Sequence, residues 1–229
     1  MAADSSVLDD PIGDGLRGAH RPFAIGAGPA LRYRPDVSPF CAVGARPTPA
    51  DWASLRALVA GGTAVLFLDP DVSVPDGWTE VQRLALTQMT DDHVELAEDA
   101  PSSPLRPLGL ADVPEMLRLA DATRPGPFEA GTVELGGYLG VFDGDALVAM
   151  AGRRMHPAGY IEISAVCTDA AHRGRGHARA LMLAVLRDIR AEGCRGFLHV
   201  AEGNPARAVY ERMGFVARRD HVVRVLTPA

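Results

Sequence analysis

The segment His172–Met182, HRGRGHARALM, places Gly174 and Gly176 among two arginines and two histidines and then turns apolar. Such a stretch can hold an anion. The first turn of a helix leaves backbone N–H groups without intrahelical partners, and its dipole favours negative charge. Glycines there let the backbone close around a phosphate, and Arg173 and Arg175 can add charge-assisted contacts. Three ligands compete on these residues: a nucleic acid, a dinucleotide and the pyrophosphate of an acyl-CoA. A tight strand-to-helix turn with solvated arginines is the plain alternative. A dinucleotide fingerprint would need a third glycine where Arg179 stands, and a nucleotide P-loop would need a Lys-Ser/Thr pair that is missing. The net charge of −6 over 229 residues speaks against a nucleic-acid partner.

The segment just upstream, YIEISAVCT, alternates as a strand. Ile161, Ile163, Ala165 and Cys167 fall on one face, and Glu162 and Ser164 on the other, away from the packed layer. A carboxylate so placed is either a solvent-facing residue or a base for a nucleophile. Downstream, HARALMLAVLRDIRAEG carries Ala178, Leu181, Met182, Val185, Leu186 and Ile189 at helical spacing and stops at Gly193. GFLHVA is a further strand, NPARAVYERMG a short helix with Asn204 at its cap and Pro205 following, and FVARRDHVVRVL a last strand.

These elements follow a less marked first half. Residues 1–22, rich in Asp, Gly and Ala without periodicity, read as a flexible tail. Residues 23–100 form a modest α/β region of unassigned role. Within it PADWASLRALVAGG is a helix capped at Asp51, and TAVLFLD and WTEVQRLALTQM are strands. Residues 101–107, with prolines and serines, read as a linker. From residue 108 to 229 the order is helix from Asp112, a loop-rich PGPFEAGTVELGG, a hairpin turning at Asp143-Gly144, then strand, helix, strand, helix, strand. Cys41, Cys167 and Cys194 form no pair motif, and His172 and His177 are poorly spaced for one metal, so no metal site is expected and a reducing cytoplasmic setting is. No apolar run approaches the ~20 residues of a membrane-spanning helix.

The ordered set of RGRGHA, the strand ending in AVCT and HVAEGNPARAVYERMGF resembles the GNAT superfamily of acyl-CoA-dependent N-acetyltransferases over about residues 107–229. RGRGHA matches the superfamily's Q/R-x-x-G-x-G/A signature, and the stretch from PGPFEAG to AVCT is similar to a bacterial subfamily of ill-defined substrates. The resemblance implies an α/β fold with a mixed, mostly antiparallel sheet flanked by helices. The first half would then be a decayed half-copy of that fold, a substrate-recognition module or a dimerisation module, a homodimer being open.

It further implies acetyl-CoA as co-substrate and a small-molecule or peptide amine as acceptor, with neither nucleic acid nor membrane as partner. The pantetheine arm would lie on the backbone of Val166, Cys167 and Thr168. The pyrophosphate would rest on the amides of Arg173, Gly174, Arg175, Gly176, His177, Ala178 and Arg179. Asn204 matches a residue that contacts the arm, a role compatible with capping, and Arg207 is either a phosphate ligand or a solvated helix residue. Tyr210 matches the acid that protonates the departing thiolate, with packing as its competitor. Glu162, eleven residues before Arg173, matches the catalytic base of the histone-acetylating branch. Deprotonating an amine of pKa ~10.4 at pH 7 costs about 4–5 kcal/mol, which is the task such a base would ease. A non-catalytic acyl-CoA-binding regulatory module is the runner-up. Pro125–Phe128 are read as part of the acceptor pocket.

Overall fold

The computed structural model describes residues 4–69, 71–96 and 104–229. The first half supplies strands β1 (Ala24–Ala27), β2 (Ala30–Tyr33), β3 (Phe40–Ala42), β4 (Ala64–Leu68) and β5 (Trp78–Thr90). The second supplies β6 (Arg106–Pro107), β7 (Leu139–Asp143), β8 (Ala146–Arg153), β9 (Tyr160–Thr168), β10 (Arg195–Ala201) and β11 (Val216–Pro228). All join one 11-stranded sheet in the order β1-β2-β3-β4-β11-β5-β10-β9-β8-β7-β6. The pairing is antiparallel except for β3 with β4 and β9 with β10. The expected division at residues 101–107 is therefore no boundary in the sheet: β5 of the first half lies between β10 and β11 of the second. Arg106–Pro107, expected as linker, pair with β7, while residues 101–103 lie outside the described residues.

Helices α1 (Pro11–Arg17), α2 (Pro49–Val59), α3 (Val113–Thr123), α4 (His177–Ala191) and α5 (Ala206–Met213) cover the faces. The stripe on α4 packs with Ile161, Ile163, Leu198 and Val200. On the other face α3 packs with Ala165 and Cys167 through Met116 and Leu119. Each parallel strand pair is joined by a helix, α2 in the first half and α4 in the second. The cap of α2 is Thr48, whose hydroxyl accepts from the Asp51 amide while the Asp51 carboxylate accepts from the Thr48 amide, so Asp51 is the far side of a capping box rather than the cap itself.

Two further expectations change. The described part of the supposed tail is packed: a 3-10 turn (Ser5–Asp9) and α1 bury Leu8, Ile12 and Leu16 completely against Tyr33, Tyr160 and Phe197. Those three apolar residues recur every fourth position, one face of a helix, among acids and glycines that hide the pattern. The alternation of β9 also breaks. Ala165 has φ 51°, and the register with β8 shifts by one residue there, so the strand bulges. Ile161 and Ile163 face α4, whereas Ala165 and Cys167 face α3.

Candidate active site

β9 and β10 pair only from Tyr160 to Glu162, opposite Arg195 to Phe197. Beyond that point the two strands part, and their facing edges line a cavity of about 800 Å3. Ile163 to Thr168 form one wall, and Leu198 to Ala201 with Asn204 to Ala206 and Tyr210 form another. Arg173 stands at one end, and Thr123 to Pro127 border it, which brings most of the PGPF segment to the cavity. Phe128 instead packs edge-on against the Tyr138 ring.

Arg173 to Gly176 form the turn that leads into α4, and His177 to Arg179 are the first residues of that helix. Gly174 (φ 77°) and Gly176 (φ 82°) both adopt left-handed backbone, which explains glycine at the two positions. Gly176 is the N-cap of α4, and no side chain caps that helix, so first-turn amides are open to an anion. The turn is held from behind: His172 bridges Asp143 and Asp169 at 3.1 and 3.3 Å, and Arg173 and Arg175 donate to the carbonyls of Thr168 and Ala171. His177 is buried at the start of the helix, with its pKa lowered by burial and by the neighbouring Arg175 and His172. Nothing lies within 4 Å of a Cβ added at Gly176, so Gly176→Ala has only backbone strain to oppose it. It should lower stability by about 1–2 kcal/mol, read as a drop in the thermal midpoint.

Asn204 stands one residue ahead of Pro205, the N-cap of α5, rather than at the cap itself; its side-chain oxygen accepts from the Ala206 amide at 2.9 Å, and the same residue lines the cavity. Tyr210 packs edge-on against Phe215, and burial pushes its hydroxyl above the usual pKa. Arg207 does not reach the cavity; it binds Glu211 at 2.9 Å and the Thr87 hydroxyl at 3.3 Å. Burial raises the Cys167 thiol to about 11, too high for a ready nucleophile.

Glu162 is not the outward-facing carboxylate that simple alternation gives. It is fully buried, since its face of β9 is covered by the amino-terminal segment. Arg154 grips it bidentately, Nε and a terminal nitrogen donating at 2.8 and 2.7 Å, and His199 Nδ1 lies 2.8 Å from the same carboxylate. Burial alone would raise its pKa; the charge of Arg154 and the hydrogen bonds from Arg154 and His199 outweigh it and hold the carboxyl at about 2. Gln88 continues the network: its amide nitrogen contacts His199 Nε2 at 3.1 Å and donates to the Leu8 carbonyl. Nδ1–H of His199 therefore donates to Glu162, and Nε2 accepts from Gln88. Arg154 and His199 both face the cavity, whereas Glu162 stands behind them. No sequence pattern announces this cluster, because Gln88, Arg154, Glu162 and His199 come from four segments and Leu8 from the amino-terminal turn; a histidine inside the apolar GFLHVA was its one visible trace.

Among the described residues no group of three or more His, Cys, Asp or Glu could hold a metal ion, and no helix is long and apolar enough to cross a membrane. Residues 138–225 match the family model described as FR47-like protein. A mycothiol acetyltransferase of Corynebacterium glutamicum is 38% identical over 87 residues, which are 37% of this chain and 30% of that protein's length. A GCN5-related N-acetyltransferase from Kribbella flavida shares the fold, with a TM-score of 0.64 at 18% identity over 95% of this chain and 96% of its own. A crystal structure of a GNAT-family acetyltransferase from Novosphingobium aromaticivorans superposes with a TM-score of 0.88 at 34% identity, covering 97% of this chain and 99% of that one. Likeness at that level, end to end, over a sheet that splits beside a glycine-lined helix start, means that this chain belongs to the GNAT family of acetyltransferases.

Proposed function

We propose that the chain moves an acetyl group from acetyl-CoA to an amine by direct attack within a ternary complex. The observation that carries this reading is the single cavity running from Arg173 at the glycine turn, along the parted edge of β9, past Tyr210. Backbone amides of Arg173 to Arg179 hold the pyrophosphate, with Arg173 and Arg175 adding charge. The unpaired edge of Val166 to Thr168 receives the pantetheine arm, and Asn204 borders the same path. Arg207, occupied by Glu211 and Thr87, is left out of the cofactor set.

The amine nitrogen, in its neutral form, attacks the thioester carbonyl carbon. A C–N bond forms, the C–S bond breaks, and the sulfur leaves with the electron pair and takes the Tyr210 hydroxyl proton. The nitrogen sheds its proton to water, and the tyrosinate is reprotonated from water. Glu162 suits a positioning task better than proton abstraction: a carboxylate held near pKa 2 and engaged by Arg154 and His199 is a weak base. We assign it to orienting Arg154 and His199 at the cavity wall.

The test uses the full chain. Acetyl-CoA at 100 times its Kd should add about 2.7 kcal/mol of stability. That corresponds to roughly 5–10 °C in thermal midpoint for a chain of this size. Free thiol should then appear only when an amine is present. Stabilisation without thiol release across a broad amine panel would reduce the chain to an acyl-CoA-binding module, and absence of stabilisation would remove the cofactor site altogether.

A further inference from the structure

The cavity has a second part, which the acyl-CoA does not need. Its floor is built from β4, β11 and β5, strands outside the split between β9 and β10. Cross-strand register places Phe67, Val223 and Leu84 in one row. The next row runs Phe40, Val65, Val225 and Gln82. Residues opposite each other in a ladder share a face, so these rows form one continuous apolar surface ending in an uncharged amide. The Phe40 and Phe67 rings meet edge-on at 5.9 Å, and Phe67 stands 4.8 Å from the His199 ring, so the floor abuts the Glu162 cluster.

The charges around this space all have one sign. Among the described residues lining the cavity there is no aspartate or glutamate, and the fixed charges are Arg124, Arg154 and Arg173. Glu162 neutralises Arg154 from behind and is itself fully buried, so it offers no carboxylate to a ligand. A substrate carrying a second ammonium group would have to lay that charge on an apolar surface beside arginines, without a counter-ion. An uncharged hydrocarbon or aromatic body would instead gain by leaving water.

We propose that the acceptor is a monoamine with an uncharged, apolar body, aliphatic or aromatic, seated on the β4–β11–β5 floor, with Gln82 marking the point where charge selectivity is set. This rests on the amine-acetylating reading above and gives the first half of the chain its part in the reaction: substrate selection.

The experiment measures kcat/KM by thiol release, with saturating acetyl-CoA, for hexylamine and 2-phenylethylamine against spermidine and a lysine-containing peptide. The monoamines should lead by about 10-fold or more. In Gln82→Glu, an exposed and nearly isosteric change, the new carboxylate should raise kcat/KM for spermidine about fivefold and narrow the ratio. Wild-type chain that uses spermidine or the peptide as well as the monoamines overturns the acceptor class while leaving amine acetylation intact. An unchanged ratio in Gln82→Glu overturns the floor as the seat. Stabilisation by acetyl-CoA with no thiol release from any amine strikes the underlying reading instead, and the acceptor class falls with it.

Discussion

Glu162→Gln should cost about 3 kcal/mol of stability and lower the thermal midpoint by about 10 °C, because it strands a largely buried guanidinium without its counter-charge. Arg154 is tied to Glu162 through two hydrogen bonds, lies over the Phe40 ring at 4.9 Å, and has no other carboxylate among its described partners. Removing both charges together, in Arg154→Met with Glu162→Gln, should recover much of the loss, since a neutral pair leaves no orphan. Thermal unfolding of the two single variants and the double variant checks the stability effect. A base role would show separately, as turnover of Glu162→Gln lost most at neutral pH, whereas a positioning role lowers turnover equally at all pH values.

The same pair gives the fold an acid sensitivity. Glu162 has a folded pKa of about 2 against an ordinary 4.5, so on acidification the unfolded chain takes up the proton first. Its contribution is fully present above about pH 4.5 and disappears as the pH falls toward 2, on the order of 3 kcal/mol across that window. Arg154 and His199 hold the carboxylate, and the Tyr33 and Tyr138 hydroxyls are close enough to feel its charge. A denaturant series at pH 5, 4 and 3 should show the wild type losing this increment while Glu162→Gln loses correspondingly less.

Tyr210→Phe should lower kcat by about 10 to 100-fold with little change in stability. The ring keeps its edge-on contact with Phe215, so only the hydroxyl is lost. Burial raises the pKa of that hydroxyl, which therefore stays protonated and able to donate through neutral and mildly alkaline pH. The benefit is bounded because a thiol of pKa ~8.5 already leaves fairly well without help. Steady-state thiol release with a verified amine is the readout. An unchanged kcat would take the proton-donor role from Tyr210 and leave it a packing residue.

The features legible in the sequence are those whose signal is local. The stripe on α4, the glycine turn before it and the hairpin closing at Gly144 each sit within one element or one turn, and each stands where the pattern puts it. The environment of Glu162 was illegible for two physical reasons. Arg154 lies eight residues away but just past the end of the neighbouring strand β8, where no helical or alternating pattern marks it, and His199 and Gln88 come from strands distant in sequence. The inversion of β9 was hidden as well, since the bulge falls on Ala165 and not on a glycine that would have marked left-handed backbone. Arg207 was legible as a basic residue on α5, but its neighbour four positions on, Glu211, claims it.

The place of β5 between β10 and β11 also bears on how the chain reaches this form. Residues Trp78–Thr90 find both neighbours only when Arg195–Ala201 and Val216–Pro228 are available, so they must wait for more than a hundred residues still to be made. Until β10 is made β5 has both edges bare, and until β11 is made one edge stays bare. Contacts this distant in sequence slow closure of the sheet and leave partly made chains prone to pairing with one another. Val216–Pro228 is thus the strand that ties β4 to β5 and closes the sheet around the first half.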